Sequence, residues 1–260
     1  MFSSFMVNTW IVASLVAAAA GFVGFFVVIR RASFAAHVLP LGAFPGAAAA
    51  SLLGVSPFIG LLAFSGLGVL GISQLERIER REVATALWLA VSLAVGTLLL
   101  SMTRQYAQGL YALLFGEVLG ISAGEILPVA ALSAAAIATT AWQFRPLLLD
   151  ALSPELAQAG GAGSRRVELG FLIVLALSTA TVLPVVGALM VFSLMVGPAS
   201  AARALSDRPL AAALISVVLA LLTVWSAIAL SYLSNWPVGF FVGTLGAGAY
   251  AAGRLRRRYA

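Results

Sequence analysis

Cysteine is absent from this 260-residue chain, every basic side chain is an arginine, and histidine occurs once, as His37. Without cysteine there are no disulfide frameworks, thiolate metal centres or thiol nucleophiles. With one histidine no His-rich cluster forms within a chain, and a His-Glu-x-x-His metalloprotease is excluded. No Gly-x-x-x-x-Gly-Lys-Ser/Thr loop occurs, so the chain does not supply a nucleotide site of that kind. Charge is scarce too: 9% of residues are charged and 62% are hydrophobic. A soluble domain averages about a quarter charged, so this chain cannot cover a water-facing surface. Disorder requires the opposite balance. The chain is expected not to be an enzyme.

What is present is a series of long apolar runs separated by short arginine clusters, the pattern of an all-α, polytopic membrane protein. The alternating pattern of a membrane β-barrel is missing. Val7 to Ile29 carries no charge, follows none, and is followed by Arg30-Arg31. A secretory signal has its positive charges before the apolar stretch, so this run reads as a retained helix with its N-terminus outside. The other basic clusters are Arg77/Arg80/Arg81, Arg145 with Arg165/Arg166, Arg203/Arg208, and Arg254/Arg256/Arg257/Arg258. If all are cytoplasmic, 14 of the 15 arginines lie inside and only Arg104 outside, as the positive-inside rule requires. The stretches between clusters, about 40, 60, 35 and 45 residues, each fit two crossings. This predicts nine transmembrane helices, N-terminus outside and C-terminus cytoplasmic. Two places leave eight as the alternative. Leu169 to Ala202 is short for two crossings, with Pro184 and Gly187 where the reversal should fall. Tyr106 to Ile126 is interrupted by Gln108, Glu117 and Glu125. The net charge of +6 would suggest nucleic acid in a soluble domain. Here the arginines flank apolar spans, and no nucleic-acid partner is expected.

The longest polar stretch is Arg145 to Glu168, so residues 1–260 read as a single transmembrane domain with a cytoplasmic loop at about 145–168. In that loop Ser153 is a good N-cap, Pro154 suits the first helical position, and Gly160/Gly161 is a good stop. The expected element is a helix of about two turns, Pro154 to Ala159. It is either an ordinary linker or a docking helix for a cytoplasmic partner. A second segment, Arg30 to Gly54, holds His37, Pro40 and Pro45 in what should be a kinked, close-packed helix. His37 is either hydrogen-bonded at the membrane edge or a functional group within a span. Glu117 is either a snorkelling carboxylate at the outer interface or a cation-attracting group at the extracellular mouth. Met190 and Met195 read as packing.

Several of these stretches, in order, resemble the permease subunits of ABC importers for zinc, manganese and iron. Arg30-Arg31-x-Ser33-Phe34 leads to His37, Pro45-Gly46 and Leu52-Leu53-Gly54. Leu114-Phe115-Gly116-Glu117-Val118-Leu119 with Ser122 is similar to the family's Leu-Phe-Gly-Asp-Leu-Leu…Ser stretch. Ser153-Pro154-Glu155-Leu156-Ala157, with Gly161 beyond, looks like its coupling loop. Val186-Gly187-Ala188-Leu189-Met190-Val191, continuing to Pro198-Ala199-Ser200-Ala201-Ala202-Arg203, resembles its Val-Gly-Ala-Leu-Leu-Val…Pro-Ala-Ala-Thr-Ala-Arg run. The resemblance covers roughly residues 8 to 250.

The resemblance implies a multi-pass protein of a bacterial inner or plasma membrane, working as a homodimer around a translocation pathway for divalent metal ions. Its partners would be an extracytoplasmic solute-binding protein and a cytoplasmic ATPase. ATP would be used by that subunit, and no cofactor would be bound by this chain. Ser153, Pro154, Glu155, Ala157 and Gly161 would form the coupling contact. The family pattern on the second span is Asp-x-x-x-His or His-x-x-x-His, which puts two ligands on one helix face. Here His37 occupies the first position and Leu41 the second. The alternatives are therefore a cargo of another kind (a siderophore, haem or cobalamin) or a permease-like subunit that has lost metal selectivity.

Overall fold

The computed structural model describes residues 4–75, 81–102, 123–159 and 164–259. Among them every regular element is an α-helix: α1 Ser4–Ile29, α2 Ser33–Leu53, α3 Pro57–Leu75, α4 Arg81–Ser101, α5 Ala123–Trp142, α6 Phe144–Leu152, α7 Pro154–Ala159, α8 Ser164–Val186, α9 Ala188–Leu205, α10 Pro209–Ser234 and α11 Val238–Tyr259. Helices are what such a composition must form in lipid, where each backbone N–H and C=O has to be satisfied within its own segment. Among the described residues six stretches, Met6–Ile29, Ser33–Leu53, Pro57–Gln74, Val83–Ser101, Arg166–Leu183 and Pro209–Ser234, are long and apolar enough to cross a membrane. A seventh candidate is the pair Ile126–Trp142 and Phe144–Leu152, bent by 57° at Gln143. Glu117 and Gly161 lie outside the described residues, as does most of Tyr106–Ile126.

α1 is the central helix, packed along α10, α9, α5 and α8. Val12, Ala13, Val16, Ala17, Ala20 and Val23 are all fully buried. Lipid tails are as apolar as leucine, so close backbone approach and interhelical hydrogen bonds hold such helices together. Both occur here. Gly24 lies so near the Met195 carbonyl of α9 that no methyl group fits between them. Ser216 Oγ of α10 donates to the Gly21 carbonyl at 2.6 Å, and Trp225 Nε1 donates to Ser14 Oγ at 2.9 Å. α2 packs along α3 and α4, with Gly46 and Gly60 in mutual backbone contact.

Two helix ends depart from regular geometry. α1 closes with Ala32 N–H donating to the Val27 carbonyl at 2.9 Å and Arg31 N–H to the Val28 carbonyl at 3.2 Å. This is a Schellman ending, and its left-handed position, usually glycine, is held by Arg31 at φ 55°. Between α8 and α9 the chain breaks at Gly187, with φ 87° and ψ 149°, a region only glycine adopts readily. Its N–H donates to the Leu183 carbonyl at 2.8 Å, and its own carbonyl accepts Met190 N–H at 3.0 Å. The sequence places a reversal between two crossings near Pro184 and Gly187, and the structure has a helix break there, at Gly187. α8 contains a span-length stretch, while the apolar part of α9, Met190–Leu205, is shorter.

Candidate functional site

α2 places His37 in its second turn. Most of Ala35 to Ala50 is buried, but Ser33, His37 and Leu41, four residues apart, are only half-buried and form one stripe. The His37 ring meets the Phe192 ring of α9 edge-on, centroids 5.6 Å apart and planes at 81°. Leu41, one turn on, packs against the core from the same stripe. The spacing expected of a paired metal grip is therefore realised, but it offers one imidazole and one hydrocarbon. Among the described residues no three histidine or acidic side chains converge to hold a metal ion. Met195 is fully buried and Met190 partly so, both within the packing.

The second region is the segment from Trp142 to Ala159. α7 spans Pro154–Ala159, the bounds expected for it, while Gly160 and Gly161 lie outside the described residues. The chain turns at Ser153, with φ −150° and ψ 80°, and the Ser153 carbonyl accepts Ala157 N–H at 3.1 Å. Sequence treats the residues of this helix as equivalent, but the fold separates them. Glu155 and Leu156 are exposed, Leu156 by 63%, while Ala157 is fully buried. Leu152, the last residue of α6, is exposed to the same degree.

α6, which precedes α7, is absent from the sequence-based expectation. Its Leu147 is fully buried in the core, and three further contacts seat it. The Phe144 ring lies among those of Phe22, Phe25 and Phe26 of α1, at 6.3, 6.4 and 5.1 Å between centroids. Gln143 lies so close to Gly170 of α8 that a methyl group there would collide with its side-chain amide. Arg30, at the end of α1, reaches the Asp150 carboxylate with Nη1 at 2.7 Å and the Glu168 carboxylate of α8 with Nη2 at 2.8 Å. Arg30 Nη1 also points to the Leu147 carbonyl at 3.5 Å, and the guanidinium lies 4.9 Å from the Phe171 ring centre. The three charged side chains are 6%, 11% and 17% exposed. Read in sequence, Arg30 signals only which side of the membrane it faces. Its partners lie more than a hundred residues away, and no local signal points to them.

A family model described as the ABC 3 transport family matches residues 2–253. Among curated proteins, the manganese import system permease protein ScaB of Streptococcus parasanguinis is 25% identical over 90% of this chain and 84% of its own length. The high-affinity zinc uptake system membrane protein ZnuB of Haemophilus influenzae is 27% identical over 89% and 88%. Among solved structures, PsaBC from Streptococcus pneumoniae in complex with Fab has a similar fold, with a TM-score of 0.89, 22% identity, and coverage of 99% of this chain and 94% of that one. A structure described as an inward-facing conformation of a putative metal-chelate type ABC transporter matches with a TM-score of 0.74 and 16% identity, over 96% and 85%.

Proposed function

Because the chain belongs to the ABC 3 transport family, a family of membrane permeases, we propose that it forms the translocation pathway of an importer for divalent metal ions. The match over residues 2–253 carries this reading, and the names of the relatives, manganese and zinc permeases, supply the cargo class. Two copies enclose the pathway. An extracytoplasmic binding protein delivers the ion, and a cytoplasmic ATPase docks on α7 through the exposed Glu155 and Leu156. The chain crosses the membrane nine times, N-terminus outside and C-terminus in the cytoplasm, which the arginine distribution supports. His37 faces the ion from each copy, and Glu117 attracts cations at the outer mouth.

A second reading, in which the cargo is a chelated rather than a bare ion, is favoured by Leu41. A first-row ion held by nitrogen and oxygen needs three or four ligands in fixed geometry, and two copies of His37 supply two. The test is purification from membranes with whatever ATPase and binding protein attach, then uptake into proteoliposomes followed by elemental analysis. ATP-dependent accumulation of manganese, zinc or iron as free ions supports the first reading. Accumulation only of a chelate supports the second, and absence of any ATPase or of uptake overturns both.

A further inference from the structure

We propose that Arg30 is the positioning residue that makes α6 and α7 move as one body with α1 and α8, so that force applied at α7 reaches the membrane helices. The proposal rests on the reading of α7 as the ATPase contact.

The argument starts from cost. Removing charges from water is unfavourable, and a buried ion cluster is often no more stabilising than apolar side chains of the same volume. A cluster of one arginine and two carboxylates, all at least four-fifths buried, is therefore not explained by stability. What it does geometrically is join three pieces of chain: the end of α1, the body of α6, and the first turns of α8. A guanidinium suits that task because its planar fork presents separate N–H groups to two carboxylates at once, where a lysine is a single point charge. Here Nη1 takes Asp150 and Nη2 takes Glu168.

The joint also sits in the right place. Gln143 and Phe144 fix the first residues of α6 against α8 and α1, but they lie at its N-terminal end. Asp150 is within one turn of the α6 C-terminus at Leu152, directly before Ser153 and α7. The middle of α6 is held by Leu147, fully buried in the core; without the Arg30–Asp150 contact its last turn, the one that leads into α7, loses its polar tie to α1 and α8. With it, both ends are fixed. Ala157, fully buried, then seats α7 on the same body.

Two measurements test this, and the cysteine-free chain suits both. In the first, spin labels at Leu152→Cys and Ile173→Cys, both exposed positions on α6 and α8, report the separation of the two helices in the purified protein. Labels at Ile11→Cys and Leu222→Cys, exposed on α1 and α10, control for an intact bundle. The triple variant Arg30→Met, Asp150→Asn, Glu168→Gln removes the three charges of the cluster together and is the form expected to fold. It should broaden the first distance distribution and leave the second unchanged. Asp150→Asn alone, which keeps the Arg30–Glu168 pair, should broaden the first in the same sense. In the second, uptake per ATP hydrolysed in the reconstituted complex should fall about tenfold in the triple variant, the order of an ordinary coupling free energy, with the ATPase still bound and thermal stability unchanged. Arg30→Lys should recover only part of the loss. A narrow, unshifted α6–α8 distance in the triple variant, or a wild-type uptake-to-hydrolysis ratio, overturns the proposal. If wild-type protein binds no ATPase, the permease reading falls while the distance measurement still judges the joint.

Discussion

His37 and Leu41 occupy successive turns of one half-buried stripe on α2, so one side chain decides whether that stripe holds two ligands or one. In the wild type it holds one, and the Phe192 ring stands against its edge. His37→Ala is therefore expected to change equilibrium manganese or zinc binding by the purified dimer only slightly. Leu41→His should strengthen binding, because an i, i+4 imidazole pair grips one ion and two copies then provide four nitrogens. Imidazole binds metal in its neutral form, so the gain should shrink on acidification. Titration of the dimer with each metal at two pH values checks the whole set. Tight binding by the wild type that disappears in His37→Ala would reveal ligands beyond this stripe.

At the scale of the element, α7 carries two kinds of residue that respond differently to substitution. Glu155→Arg or Leu156→Asp alters only the exposed face, and each is expected to reduce uptake per ATP hydrolysed while leaving the thermal midpoint in detergent unchanged. Ala157→Trp, by contrast, must force a large ring into a fully buried site and should displace α7 and lower the midpoint as well. Gly187→Ala tests the α8–α9 break. It places a side chain at φ 87°, a cost of about 1–3 kcal/mol, and should appear as a lower melting temperature. These elements also show what a sequence makes legible. α7 and the Gly187 break are written locally, in a cap, a proline and a glycine. The arginine clusters and apolar runs likewise announce a polytopic helical protein. α6 is not legible, because the residues that seat it, Phe22, Phe26, Arg30, Glu168 and Gly170, come from two other helices. The same holds for which side of α7 is buried.

For the whole molecule, the arginine distribution makes a statement that accessibility can check. Because the native chain has no cysteine, single cysteines report cleanly. A cysteine at Ser234, at the end of α10, should react with an impermeant maleimide in sealed cells. Cysteines at Gly163 and Arg254 should react only after permeabilisation. Labelling of position 163 in sealed cells would reverse the orientation and remove α7 from the compartment where ATP is.

The burial of the Arg30 cluster sets its response to ionic strength. Mobile ions weaken attractions between exposed charges beyond roughly 10 Å at 0.1 M, but act far less on pairs they cannot surround. Asp150 and Glu168 lie 2.7 and 2.8 Å from a guanidinium that is 6% exposed. A concentrated salt wash, the usual means of detaching a peripheral subunit held by surface charge, should therefore strip this protein of such partners and leave α6 seated. Material prepared that way would be ready to receive a partner again when the salt is removed.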